Sequence, residues 1–67
     1  MANSELSKAI QDAVELLPND QKEVFLLRQN NVPFKEIAVI QDCTLNTVLG
    51  RMHYAVNRLR KLLRDWK

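Results

Sequence analysis

The residues best suited to chemistry with another molecule lie near the carboxyl end of the chain. Six of the ten basic residues fall within 51–67, where Asp65 is the one acidic residue. The preceding 50 residues carry four basic residues against seven acidic ones. A basic segment on an otherwise acidic domain is the electrostatic pattern of an element that binds a polyanion. The alternative interpretation is the solvated face of a surface helix.

Side chains that hydrogen-bond to bases or phosphates overlap this basic segment. Amide and guanidinium groups read base edges in the major groove of DNA, and hydroxyl and cationic groups bind phosphate oxygens. If the segment is a helix whose apolar stripe faces a core, its outward positions are Asn46, Thr47, Gly50, Arg51, His53, Tyr54, Asn57 and Arg58. The pattern therefore favours contact with a nucleic acid.

Other kinds of site are not indicated by the sequence. Cys43 is the single cysteine and His53 the single histidine, so no disulfide framework or zinc-ligand spacing is present. No carboxylate pair, nucleophile with a base, or phosphate-cradling loop occurs at catalytic spacing. We expect a non-enzymatic protein without a cofactor or metal, in which Cys43 packs as a small hydrophobic residue.

The sequence also bears on location. No apolar run approaches the roughly 18 residues needed to span a bilayer. The start, MANSELSK, lacks the basic-then-apolar order of a signal peptide. We therefore expect a cytoplasmic protein with no membrane partner.

Four helices are predicted, and no segment has the alternation of a strand. The first covers 4–17, with a cap at Asn3 or Ser4, and Pro18 ends it. The second covers 20–29, with a capping box formed by Asp20 and Glu23, and its apolar run 24–27 predicts a central position. The third covers 34–41, and the fourth covers 45–65 with Thr44 as its cap.

The fourth helix has a long apolar stripe for packing. Its members recur every three or four residues and are Leu45, Val48, Met52, Ala55, Leu59, Leu62 and Trp66. Trp66 is expected to pack against the first helix, although a helix-end aromatic residue also serves as an anchor for a partner. We predict an all-α fold, a four-helix orthogonal bundle in which 1–67 form one domain.

The third and fourth helices, with the turn between them, form a helix-turn-helix arrangement. The second helix of such a motif enters the major groove, and the first crosses the DNA backbone. Lys35, near the start of the third helix, is thus placed to contact phosphate, and plain solvation is the alternative. Helix bundles use similar turns without binding DNA, so the pattern alone leaves a structural interpretation open.

Three segments, in order, resemble region 4 of bacterial sigma factors of the sigma-70 family, in its extracytoplasmic-function-like form. LPNDQKEVFLLR (17–28) is similar to the Leu-Pro-x-x-x-x-x-Val-Phe-x-Leu-Arg signature of that family. FKEIAVI (34–40) matches its aromatic-x-Glu-Ile-Ala core. NTVLGRMHYAVNRLRKLL (46–63) is similar to its recognition helix, Gly-Thr-Val-x-Ser-Arg-x-x-Arg-Ala-x-x-x-Leu-Arg. The resemblance covers the chain from about residue 9 to residue 63.

The resemblance implies a module that binds the minus-35 promoter element and docks on core RNA polymerase, at the flap of the β subunit. Departures fall on the reading helix: Leu49 and Tyr54 stand where the family often has basic residues, and Gly50 where it has serine. Arginine is the usual reader of guanine, so Leu49 is expected to contact a thymine methyl group and Tyr54 to stack or to bind phosphate. Asp42 replaces the usual glycine of the turn, yet aspartate tolerates the left-handed conformation.

Individual positions complete the predicted site. Arg51 matches an arginine of the family and is expected to bind phosphate, with an ion pair to Glu36 as the alternative. Gly50 within a helix costs about 1 kcal/mol relative to alanine, which suggests close approach of DNA, with plain tolerance as the alternative. His53 is expected to contact phosphate or a base. The predicted DNA-binding residues are Lys35, Thr44, Asn46, Thr47, Leu49, Gly50, Arg51, His53, Tyr54 and Arg58.

Two other functions remain open at this stage. One alternative is the helix-turn-helix domain of another transcription regulator. The other is a protein-interaction module that holds RNA polymerase or an anti-sigma protein with little DNA binding. Nothing in the sequence resembles the sigma-factor region that melts the minus-10 element. The sequence therefore leaves open an excised domain or a free-standing relative.

Overall fold

The structure is a computed structural model that describes residues 4–64, which form four α-helices joined by short turns. They are α1 (Ser4–Glu15), α2 (Asn19–Gln29), α3 (Phe34–Ile40) and α4 (Leu45–Leu63). No strand occurs within 4–64, and the predicted all-α fold class is confirmed. The predicted cap at Asn3 and the contact of Trp66 lie outside the described residues.

The end of α1 comes two residues before the predicted one because the last turn tightens. The amide of Leu16 donates to the carbonyl of Ala13 at 3.0 Å, and the amide of Leu17 to that of Val14 at 3.0 Å. These bonds span three residues, as in a 3₁₀-helix, which is common at helix ends. Leu17 thereby stays buried next to Pro18, where the chain turns towards α2.

The start of α2 shows that the predicted capping box is wrong. The helix begins at Asn19 after Pro18, and no side chain caps it. The amide of Lys22 donates to the carbonyl of Pro18 at 2.8 Å. The carboxylates of Asp20 and Glu23 instead contact α4 and the turn after α3. Both groups have partners outside their own helix, which sequence spacing alone does not reveal.

The central helix is α4, not α2 as predicted, because α4 packs against each of the other three helices. One apolar cluster joins α1 to α4 and consists of Ala13, Val14, Leu17, Ala55 and Leu59. A second joins α2 and α3 to α4 and consists of Val24, Ile37, Ala38 and Val48. Only Val24 of the apolar run 24–27 is fully buried, and Leu26 is 45% exposed.

The apolar stripe of α4 follows the prediction from Val48 to Leu59, but Leu45 at its start is 39% exposed, and after Leu59 the stripe shifts by one residue. Val48, Ala55 and Leu59 are buried, and Met52 packs against the second cluster. Beyond them Leu63 packs against the first cluster, whereas Leu62 is 39% exposed. No helix within residues 4–64 combines the length and the apolar character needed to cross a bilayer.

The turns after α2 and α3 share one hydrogen-bond pattern. Asn31 and Asp42 have φ angles of 63° and 53°, in the left-handed region. The amide of Cys43 donates to the carbonyl of Ala38 at 3.0 Å, and an equivalent bond closes the turn at Asn31. This is the Schellman arrangement, which satisfies carbonyl groups at a helix end. The turn predicted at Asp42 is confirmed.

The start of α3 is fixed by a side chain of α2. Nη1 of Arg28 donates to the carbonyl of Val32 at 3.0 Å, and its guanidinium carbon lies 4.6 Å from the ring centre of Phe34. A guanidinium group over an aromatic face gains a cation–π attraction. The Arg28 side chain therefore adds to the backbone hydrogen bonds that hold the link between α2 and α3.

Candidate nucleic-acid interface

The first turn of α4 is held by a threonine cap, as predicted. Oγ1 of Thr44 accepts a hydrogen bond from the amide of Thr47 at 3.1 Å, and the two hydroxyl oxygens lie 2.9 Å apart. Such a cap satisfies one of the free amides at a helix start. Both threonines are exposed, so the start of α4 is open to a partner at its positive dipole end.

The outward face of α4 consists of Asn46, Gly50, His53, Tyr54 and Asn57. These positions lie opposite the buried stripe of the helix by the 3.6-residue period. The side chains of Asn46 and His53 are exposed, and Tyr54 is 64% exposed. Gly50 and Asn57 are half-buried. Polar groups suited to base edges and phosphates are thus available along about three helical turns.

His53 contacts two other side chains of this face, Asn57 and Tyr54. Nε2 of His53 and Nδ2 of Asn57 lie 3.1 Å apart, within hydrogen-bond distance. The rings of His53 and Tyr54 meet edge to face, with centres 6.1 Å apart and an interplanar angle of 67°. Their mutual contacts restrict the rotamers that each side chain would otherwise sample, which lowers the entropy lost on binding.

Arg51 is directed away from the outward face and into a network of its own. Its Nε lies 3.2 Å from Oδ2 of Asp20, and its Nη1 donates to Oε1 of Gln41 at 2.8 Å. Nη1 also lies 3.6 Å from Sγ of Cys43. The alternative ion pair raised for Arg51 named Glu36, whereas the partner is Asp20 at the start of α2. The guanidinium therefore links α4 to α2 and to the turn before α4.

Gln41 completes this network and was missed by sequence reasoning. Its Nε2 donates to the carbonyl of Asp20 at 3.1 Å and to Oε1 of Glu23 at 2.9 Å. Because its carbonyl oxygen accepts from Arg51, one amide joins α2, the turn and α4. No local sequence pattern indicated this role of Gln41, because it depends on how α2 and α4 are placed relative to each other.

Leu49 and Arg58 lie on α4 beside the outward face, and Lys35 lies on α3. Lys35 and Arg58 are exposed, and neither makes an ion pair within residues 4–64. Leu49 is 43% exposed and carries its apolar side chain beside the face. Arg58 and Lys61 line a shallow recess whose remaining walls are Gln21, Tyr54 and Asn57. Arg58 and Lys61 thus place two cations beside the outward face.

Cys43 is half-buried and packs against the second cluster, so its prediction as a small hydrophobic residue in the turn is confirmed. Among the residues that the structure describes, no group of three histidine, cysteine or acidic side chains lies close enough to hold a metal ion. The side chains that are brought together serve hydrogen bonding and charge pairing.

Comparison with known proteins identifies the family. The model of the family described as Sigma-70, region 4, matches residues 7–59, which run from α1 through most of α4. No solved structure gave a significant match to the chain. Domains of this family bind DNA and interact with RNA polymerase, and the family is not catalytic. Since the match covers well over half of the sequence, the chain belongs to the sigma-70 region 4 family.

Proposed function

We propose that this domain binds the minus-35 promoter element through the outward face of α4 and docks on core RNA polymerase, at the β flap, through another surface. The observation that carries the proposal is the composition of α4. This helix contains four basic residues and no acidic one, although it sits on an otherwise acidic domain. A helix of that charge, whose outward face carries exposed polar side chains, suits the major groove of a duplex.

The proposed roles follow from position. Asn46, Thr47, Leu49, Gly50, His53 and Tyr54 lie along the part of α4 that would enter the groove and contact bases. Thr44, at the start of that helix, and Lys35, on α3, are placed for phosphates on one side. Arg58 is placed for phosphates farther along the duplex. Arg51 acts indirectly, by holding α4 against α2.

The salt dependence of binding tests the DNA contact. A labelled duplex, selected by the protein from random DNA, is titrated by fluorescence anisotropy at several salt concentrations. Each neutralised phosphate contributes a slope of about −0.9 to the logarithm of the binding constant against that of the salt concentration. Arg58→Gln is expected to make the slope shallower by about 0.9, since one phosphate contact is lost.

The matched control for this experiment is Lys8→Gln. Lys8 is exposed on α1, so this variant removes the same charge from the domain at a distance from the outward face. It should leave the slope as in the unmodified protein. A binding constant that does not change with salt, for the unmodified protein, would contradict the proposal.

The proposed polymerase surface is an apolar groove between α1 and α2. Ile10, Val14, Phe25 and Leu26 line it, and Asp12 and Glu15 lie at its rim. Because α1 packs on the buried stripe of α4, this groove lies away from the outward face. DNA and polymerase can therefore bind at the same time. A role at promoters also implies a cytoplasmic location.

A second function is favoured by the engagement of Arg51. The Arg51 guanidinium is held by Asp20 and Gln41, and Leu49 and Tyr54 stand in place of basic residues. The half of α4 that would face the DNA major groove therefore has few cations. Such a domain could hold RNA polymerase or an anti-sigma protein and bind DNA weakly. Retention on core polymerase without measurable duplex binding would select this function over the first. Duplex binding without polymerase retention would indicate the helix-turn-helix domain of another regulator.

A further inference from the structure

Gly50 is the one glycine of the chain, and nothing within residues 4–64 requires it. Its φ angle is not positive, so no special backbone conformation is needed. A Cβ atom built at this position meets nothing within 4 Å. Alanine would therefore fit the free protein and favour the helix, because glycine within a helix is less stable than alanine. The reason for glycine has to be sought outside the folded chain.

The missing side chain leaves a notch in the middle of the outward face. Asn46 lies one turn before Gly50, and Tyr54 lies one turn after it, so these two side chains form the ends of the notch. Leu49 is next to it and half exposed. Helix backbone forms the floor of the notch, nothing else lies within 4 Å of the position of the missing Cβ, and the Asn46 amide is available at one end. Such a notch accepts a small apolar group that approaches the helix axis closely.

The arginine nearest to this notch is not available to read guanine. Arg51 follows Gly50 in sequence, but its guanidinium is held by Asp20 and Gln41 at 3.2 Å and 2.8 Å. The amide of Asn46 makes no hydrogen bond with another side chain within residues 4–64 and remains free to bind. Asparagine pairs with adenine through its N6 and N7 atoms, and the thymine methyl group is the apolar feature of the major groove.

We propose that the notch at Gly50 receives the 5-methyl group of a thymine, while Asn46 reads the adenine of the same or the adjacent base pair. The domain would thus select an A·T step at the centre of its site by close approach of the α4 backbone. This inference rests on the proposed function, since it specifies how the same face reads duplex DNA.

The experiment compares thymine with uracil, which lacks the methyl group. Each thymine of the selected duplex is replaced singly by uracil, and affinities are measured for the unmodified protein and for Gly50→Ala. One replacement should weaken binding of the unmodified protein by about four-fold, the value of one buried methyl group. Gly50→Ala should weaken binding to the thymine duplex by about ten-fold, because the added Cβ occupies the notch, and it should remove the response to uracil.

Thermal unfolding separates this effect from damage to the fold. Gly50→Ala should raise the Tm by about 4–8 °C, since it removes a glycine from a helix in a small domain. The matched control is Ser7→Ala on the exposed side of α1, which also favours a helix and should leave affinity and the uracil response unchanged.

The results separate a failure of the proposed thymine contact at Gly50 from a failure of the proposed DNA binding. If Gly50→Ala binds the duplex as tightly as the unmodified protein, or if no uracil replacement matters, the notch is not a reading element, although DNA binding stands. If the unmodified protein binds no duplex at all, the proposed function fails and this inference fails with it.

Discussion

At the scale of single residues, the role of Arg51 depends on the partners that already hold it. Its side chain is 28% exposed, and two of its nitrogens are engaged by Asp20 and Gln41. A cation paired in this way gains little from a phosphate, because the existing pair must first be broken. We infer that Arg51 fixes the angle between α4 and α2, and that the outward face owes its orientation to this pair.

A double-mutant cycle tests that role. Arg51→Gln, Asp20→Asn and the double variant are unfolded in urea, and the coupling free energy is expected to be about 0.5–1 kcal/mol, at the upper end for a partly exposed pair. The cycle for Lys22 and Glu15 is the control. Their atoms also lie 3.2 Å apart, but Glu15 is 73% exposed, so its coupling should be smaller.

The same variants give a second readout with DNA. If Arg51 positions the helix, Arg51→Gln weakens duplex binding without changing the salt slope, and Asp20→Asn weakens it in the same direction. A slope reduced by about 0.9 for Arg51→Gln would show instead that this guanidinium neutralises a phosphate.

Helical periodicity correctly predicted that Asn46, His53 and Tyr54 are exposed on α4, but not that Leu45 is exposed, nor the direction of Arg51. Asn46 and Tyr54 lie opposite the buried stripe, so they stay exposed to solvent even if the assumed rotation per residue of the helix is slightly wrong. Arg51 lies at the edge of the stripe, where a long side chain can turn either way. Its direction is set by Asp20, which is 31 residues away in the sequence. No local pattern contains that information.

At the scale of elements, the turn before α4 determines where the reading helix begins. Asp42 adopts a left-handed conformation with a φ angle of 53°, and the following amide closes the Schellman turn onto Ala38. The sequence predicted this turn because aspartate tolerates that conformation. It did not predict the end of α1, since Leu16 and Leu17 continue the apolar period after the helix has tightened.

Substitution of Asp42 tests the turn. Asp42→Ala should lower the free energy of unfolding by about 1 kcal/mol relative to Asp42→Gly, because alanine is strained in the left-handed region and glycine is not. Chemical denaturation of the two variants measures the difference.

Asp12 on α1 provides the matched control for this pair. It is exposed and lies within a regular helix, so the order should reverse there: Asp12→Ala should be more stable than Asp12→Gly by about 1 kcal/mol. The same order at both positions would mean that Asp42 does not hold the turn in the manner described.

At the scale of the whole molecule, the domain has two sides with different chemistry. The outward face of α4 is polar and flanked by cations, and the groove between α1 and α2 is apolar with an acidic rim. Sequence analysis located the first side from charge and spacing. The second side depends on how α4 places α1 and α2 next to each other, so no local pattern indicates that Leu26 of the apolar run 24–27 is exposed.

Leu26→Asp is expected to separate the two binding activities. Leu26 is 45% exposed, so the charge is tolerated by the fold but repels an apolar partner from the groove. Retention on core RNA polymerase should fall by about ten-fold or more, while duplex affinity stays unchanged. Leu16→Asp is the control, because Leu16 is 67% exposed and lies outside this groove. Equal losses for both variants would argue against the groove.

The position of α4 also has a consequence for biosynthesis. Each apolar cluster contains residues of α4, so residues before Leu45 can complete neither cluster by themselves. During synthesis the apolar sides of α1, α2 and α3 therefore stay uncovered until α4 has left the exit tunnel of the ribosome. The exposed face of α4 is therefore positioned in the same step that closes both apolar clusters.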